Sequence, residues 1–293
     1  MRRRRFHEEN IRGAGLLCVG PQRTASSWLD RVLRVHPNLT LPVNVKETFF
    51  FDRYYDRGVG WYLSHFGDVS GGSLLAEVGS TYFESAEAQE RIRTANPEAR
   101  ILITIRNPIA RSFSSFGHEY AKGRASGDFF EAVASQPRIV ESGRYSVLAP
   151  EWEGAFGSEQ VLYVVQEDIE ADPQGQFDAI CAFLGLAANP LPEELKGRYG
   201  QGTVPRFRWL AATASRTASV LRGAGLHRVV ETGKRLGLKR VYGGGDRQAL
   251  SVTRPIFEYL LAEHEADIRF LEERLGRDFS HWREPATYGL EAE

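Results

Sequence analysis

Short apolar runs alternate with amphipathic stretches over most of the chain. Residues 16–20 (LLCVG), 73–78, 101–105 and 161–165 are dense in apolar positions without helical spacing, as expected of strands covered on both faces. Between them, residues 26–35 place Trp28, Leu29, Val32 and Leu33 on one helical face, and His36-Pro37-Asn38 ends the pattern. Residues 85–95, 109–122, 145–156 and 173–184 read as further helices, the last with Asp172 as its cap and Pro173 in its first turn. This alternation predicts an α/β fold, a three-layer sandwich with a central parallel sheet. Residues 255–275 form a long helix stopped by Gly276. Residues 197–245 turn to Arg, Gly, Ala and Ser with weak periodicity, a lid-like insertion on what reads as one domain over 1–293.

Composition narrows the function classes. A formal charge of -1 and a pI near 6.7 supply no general field for nucleic acid or an anionic membrane, so phosphate binding must be local. The two cysteines, Cys18 and Cys181, have no metal-ligand spacing, which fits a reducing compartment and a metal-free site. The basic start, residues 1–5, is followed by His7, Glu8, Glu9 and Asn10 rather than an apolar stretch, so no export signal is readable. No window reaches the roughly 18 consecutive apolar residues of a membrane span. The expected location is cytoplasmic.

The chemistry concentrates after the first strand. Gly20-Pro21-Gln22-Arg23-Thr24-Ala25-Ser26-Ser27-Trp28 sets a glycine, small residues and hydroxyls between a buried strand and a helix start, aiming backbone N–H groups and the positive helix end at one point. An anion is the natural occupant of such a P-loop-like turn. Ser26 as a plain N-cap with Arg23 on the surface is the structural alternative. An ATPase or nucleotide kinase loop would end in Gly-Lys-Ser/Thr, with the lysine on the terminal phosphates; here Ala25 stands in the lysine's place.

The loop resembles the 5'-phosphosulfate loop of sulfotransferases that use 3'-phosphoadenosine-5'-phosphosulfate (PAPS), with Arg23, Thr24, Ala25, Ser26, Ser27 and Trp28 at the matching places. Ala25 stands where that family has glycine, which requires a turn that alanine tolerates. A second element, residues 101–114, ends a strand at Arg106, opens a helix at Pro108 and places Ser114 eight residues after the arginine, as in the family's 3'-phosphate pair. A third, Lys46-Glu47-Thr48-Phe49-Phe50-Phe51-Asp52 followed by Trp61-Tyr62, is similar to the segment of heparan-type and bacterial members whose glutamate is the general base. The lysine these members often carry in a Glu-Lys-Ser-Pro run is absent from Glu77-Val78-Gly79-Ser80. Weaker matches, among them Gly143-Arg144-Tyr145, Gln166-Glu167-Asp168, Gln201 to Arg206 and Leu275 to Trp282, keep the family's order.

The resemblance implies a bacterial or heparan-sulfate-type sulfotransferase domain. It would move the sulfuryl group of PAPS, without a metal, to a hydroxyl on a small metabolite or carbohydrate and release 3'-phosphoadenosine-5'-phosphate (PAP). Glu47 would be the base, Arg23 would stabilise the bridging oxygen, and Ser26 and Ser27 would hold the 5'-phosphate. Trp28 would meet adenine, and Arg106 with Ser114 the 3'-phosphate. Phe49, Asp52, His118 and Tyr145 are candidate acceptor contacts. A nucleotide kinase using ATP and Mg²⁺, and an inactive PAP-binding module, are the competing readings. A nucleic-acid binder would rest only on residues 1–5 and the Arg-rich stretch 206–240.

Overall fold

A computed structural model describes residues 14–43, 45–67, 73–197, 217, 221 and 251–291. Residues 1–5, the motif from Gln201 to Arg206 and nearly all of 197–245 lie outside them. In chain order the main elements are β1 (Ala14–Gly20), α1 (Ser26–Arg34), β2 (Leu39–Thr40), α2 (Phe50–Arg53), α3 (Gly58–Leu63), β3 (Leu74–Val78), α4 (Ala86–Ala95) and β4 (Arg100–Ile105). They continue with α5 (Pro108–Ala121), α6 (Phe129–Ser135), α7 (Arg138–Glu141), α8 (Tyr145–Phe156), β5 (Val161–Val165), α9 (Gln166–Ala171), α10 (Pro173–Phe183) and α11 (Arg254–Leu275).

The chain divides into two compact units, one comprising residues 1–106 and 147–200, the other residues 107–146 and 201–293. The first contains a five-stranded sheet in the order β2-β3-β1-β4-β5, every pairing parallel. Helices flank it, as the apolar strand pattern requires. Leu16 and Cys18 on β1 join Trp28, Leu29 and Val32 of α1, and Phe177 and Ile180 of α10, in one buried cluster. Leu17 and Val19 point to the opposite face and are equally buried. There the indole of Trp152 on α8 donates to the carbonyl of Phe83 at 3.0 Å.

The strand order fixes where a ligand can enter. From β1 the chain moves to β2 and β3 on one side, then crosses to β4 on the other. Successive connections therefore leave the sheet in opposite directions at the carboxyl end of β1, the place where open parallel sheets form a binding crevice.

The second unit is helical among its described residues. Asn107 caps α5, its side chain accepting from the N–H groups of Ile109 and Ala110, and Pro108 takes the first turn. A buried polar network ties α5 to α11. Ser112 Oγ lies 2.8 Å from His264 Nε2, and His264 Nδ1 lies 2.8 Å from Asp267 Oδ2. The fully buried Arg111 donates to Ser142 Oγ at 2.9 Å and to the carbonyl of Ile139.

Candidate functional site

The loop after β1 is built by backbone that few residues adopt. Gly20 has φ 107, and a Cβ there would stand 2.5 Å from the carbonyl oxygen of Ser80, so only glycine fits between the two strand ends. Arg23 and Ala25 take left-handed conformations, with φ of 73 and 62. The turn is therefore not the one alanine tolerates best. Ala25, not Ser26, is the N-cap of α1, and no side chain caps this end. The plain capping role open to Ser26 is thereby removed; the N–H groups of Trp28 and Leu29 turn back to the Ala25 carbonyl at 2.9 and 3.2 Å, so those of Ser26 and Ser27 are the ones at the mouth of the loop.

The loop side chains divide into inward and outward sets. Thr24 is fully buried, and its hydroxyl meets the carbonyl of Pro21 at 2.5 Å and the hydroxyl of Thr104 on β4. That hydroxyl holds the turn together, so the expected contact of Thr24 with an anion is limited to its backbone. Trp28 is mostly buried and its indole donates to the carbonyl of Leu195 at 3.0 Å, yet it still lines the cleft beside the loop. Arg23, Ser26 and Ser27 line a cleft of about 140 Å³ together with Arg106. Arg106 also donates to the carbonyl of Arg23 at 3.0 Å, so the end of β4 braces the loop that it faces.

The far wall of this cleft went unassigned in the sequence. Gln166, Ile169 and Glu170 reach it from α9, and Lys196 follows from the segment after α10. Gln166 belongs to the weak Gln166-Glu167-Asp168 match, and the signal for the others was position: α9 begins directly at the carboxyl end of β5, where α/β sheets gather ligand contacts.

The segment carrying Glu47 reaches the loop from the β3 side. Lys46 Nζ lies 2.9 Å from Ser26 Oγ, 3.5 Å from Ser27 Oγ and 3.8 Å from Glu47 Oε1. The hydroxyl of Ser80, just past β3, donates to the same carboxylate oxygen of Glu47. Fully buried Glu77 holds the segment: its Oε1 accepts from Thr48 N at 2.9 Å, Thr48 Oγ1 at 2.6 Å and Tyr82 OH at 3.0 Å. Burial pushes the Glu77 carboxyl up to about 7, against the pull of those donors.

The acceptor-side candidates fare unequally. Phe49 has φ 55, in the left-handed region, and the Arg53 guanidinium stacks 4.6 Å from its ring centre. Asp52 Oδ2 accepts from Thr81 Oγ1 at 2.7 Å, while its buried Oδ1 has no hydrogen-bond partner among the described residues. Burial raises the Asp52 carboxyl above its ordinary value. Phe50 and Phe51 are core rings, Phe50 stacked on Tyr62 and Phe51 edge-to-face with Tyr82. In the second unit, Ser114 and His118 are half-buried on α5, whereas Tyr145 at the start of α8 is fully buried.

Among the described residues no cluster of His, Cys, Asp and Glu has metal-site geometry, and no helix is long and apolar enough to cross a membrane.

Comparison with known proteins points one way. Residues 83–190 match the model of the sulfotransferase family. The chain is 29% identical over 179 residues to heparan sulfate glucosamine 3-O-sulfotransferase 6 of Homo sapiens, a match covering 58% of this chain and 52% of that protein. It is 28% identical over 192 residues to the bifunctional heparan sulfate N-deacetylase/N-sulfotransferase 1 of Caenorhabditis elegans, covering 60% of this chain and 22% of the other. The chain thus spans about half the length of the first relative and far less of the second. The crystal structure of a sulfotransferase from Alicyclobacillus acidocaldarius superposes with a TM-score of 0.66 over 92% of this chain and 98% of that one, at 22% identity, and so shares the fold. With a five-stranded parallel sheet and a left-handed loop after β1, the chain has the fold of the Alicyclobacillus acidocaldarius enzyme, and over residues 83–190 it is similar to the sulfotransferase family.

Proposed function

We propose that this chain transfers the sulfuryl group of PAPS to a hydroxyl of a carbohydrate or small metabolite. The observation that carries the reading is the meeting of three elements at one point. The loop after β1 presents Arg23, Ser26 and Ser27, β4 presents Arg106, and the segment with Glu47 is joined to Ser26 through Lys46. The cleft is smaller than the roughly 300–1,000 Å³ of a complete small-molecule site. It therefore accounts for the anionic end of a nucleotide and leaves the remainder to surfaces beyond it.

In this reading the helix end, Ser26 and Ser27 bind the 5'-phosphate, and Arg106 takes the 3'-phosphate. Glu47 accepts the proton of the attacking hydroxyl, for which it must lie within hydrogen-bond reach of the acceptor. The acceptor oxygen bonds to sulfur as the sulfur–oxygen bond to PAP breaks, and the electron pair leaves on the PAP oxygen, where Arg23 stabilises the growing charge. Arginines and N–H groups preorganised around the anion supply the positive field. The relatives named for O- and N-sulfation of heparan sulfate support a carbohydrate as the first acceptor to test.

The test is transfer of label from [³⁵S]PAPS to desulfated heparin oligosaccharides in buffer containing EDTA. Glu47→Gln should lower turnover by about 10²-fold or more, within the usual range for a lost general base, while PAP affinity stays within about twofold. Equal turnover in the variant would remove Glu47 from the mechanism.

A further inference from the structure

Lys46 is one of five lysines in the chain, and it stands at the junction of the loop and the candidate base. Its ammonium is within 2.9 Å of Ser26 Oγ, 3.5 Å of Ser27 Oγ and 3.8 Å of a Glu47 carboxylate oxygen, and the side chain keeps 30% exposure. An ammonium has three donors and no acceptor. The serine hydroxyls accept from it, which leaves their own protons to be given to an anion. The ammonium therefore stands between the two serines and the Glu47 carboxylate.

That space is where the sulfur would sit, since an acceptor hydroxyl served by Glu47 must attack a sulfuryl group carried on a phosphate held by the serines. Val78, at the end of β3, is fully buried and apolar, and Ser80 is engaged with Glu47, so neither brings a cation to this side. We infer that Lys46 is a catalytic residue that binds the oxygens of the transferred sulfuryl group and so distinguishes PAPS from PAP. This rests on the sulfuryl-transfer reading. In the transfer the sulfur–oxygen bond to PAP breaks as the bond to the acceptor oxygen forms, and the acceptor proton goes to Glu47. Lys46 takes no part in the proton transfer and acts by charge-assisted hydrogen bonds to the sulfuryl oxygens. Ser26 and Ser27 give their own hydroxyl protons to the 5'-phosphate when the donor binds.

Calorimetric titration of the full chain with PAPS and, separately, with PAP, both in EDTA, tests the assignment on Lys46→Met and Lys46→Arg. Losing a charge-assisted hydrogen bond should weaken PAPS binding by roughly tenfold or more. PAP, which lacks the sulfuryl group, should lose less than about threefold, and Lys46→Arg should recover part of the PAPS affinity. Equal losses for both ligands in Lys46→Met would overturn the assignment and leave Lys46 as a brace for the loop. Unchanged affinity for both would remove it from the site. Failure of the unaltered chain to bind either ligand would instead overturn the sulfuryl-transfer reading on which the proposal stands.

Discussion

Ala25 holds a left-handed conformation that costs an L-residue with a Cβ roughly 1–2 kcal/mol. Glycine would relieve that strain and give back about 0.4–1 kcal/mol through the greater freedom of the unfolded chain. Ala25→Gly should therefore stabilise the protein by about 0.5–1 kcal/mol, read as a small rise in melting temperature; a fall would show the turn to be unstrained. Glu77 gives a second residue-level test. Its folded carboxyl sits near 7 against an ordinary 4.5, so the folded chain keeps a proton that the unfolded chain releases between those values. Its contribution to stability is thus greatest below about pH 4.5, falls as pH rises to about 7, and is level above. In urea unfolding at pH 5 and pH 8, Glu77→Gln should lose that part of the slope, and an identical slope in both proteins would contradict the assignment. Arg23, Ser26, Glu47 and Arg106 were legible because a short local pattern carries each of them. Lys46 and Glu77 stand in the same quoted motifs without an assigned contact, because their partners Ser26 and Thr48 lie about twenty to thirty positions away.

The strands and long helices were legible where period and punctuation agree. Residues 161–165 and 145–156 fall as expected in β5 and α8, and Asp172 caps α10. Gly276 ends α11 with φ 60. What the pattern hid were the short elements. Residues 50–66 are so rich in aromatic rings, with Phe50 stacked on Tyr62 and Trp61 against His65, that no helical period separates α2 from α3. The link between α5 and α11 was also silent, since Ser112 and His264 are 152 positions apart. Burial lowers the His264 pKa, so on acidification the unfolded chain takes up a proton before the folded one. Stability from this group is present above the ordinary value of 6.5 and is lost as pH falls below it. His264→Asn, which does not titrate, should flatten that acid limb while costing roughly 1–3 kcal/mol for imperfectly paired buried groups. An unchanged acid limb by circular dichroism would show that the network does not respond to protonation.

At the scale of the molecule, the strand order accounts for the place of the site. The switch of direction at β1 opens a crevice at its carboxyl end, and every charged group assigned to the donor's anionic end reaches that point from β1, β4 or the segment before α2. The fold and the similarity to sulfotransferases agree with what the motif order predicted, whereas the acceptor is written in no motif of the chain. The donor is the more direct test. Differential scanning fluorimetry with PAP in EDTA, beside ATP with Mg²⁺, decides between a site built for a 3'-phosphate and one built for a metal-bound triphosphate. At about 100 times its dissociation constant PAP should stabilise the chain by ~2.7 kcal/mol, a clear upward shift of the melting temperature, with Arg106→Ala abolishing most of it and ATP with Mg²⁺ giving none. Stabilisation by ATP with Mg²⁺ and not by PAP would contradict the account.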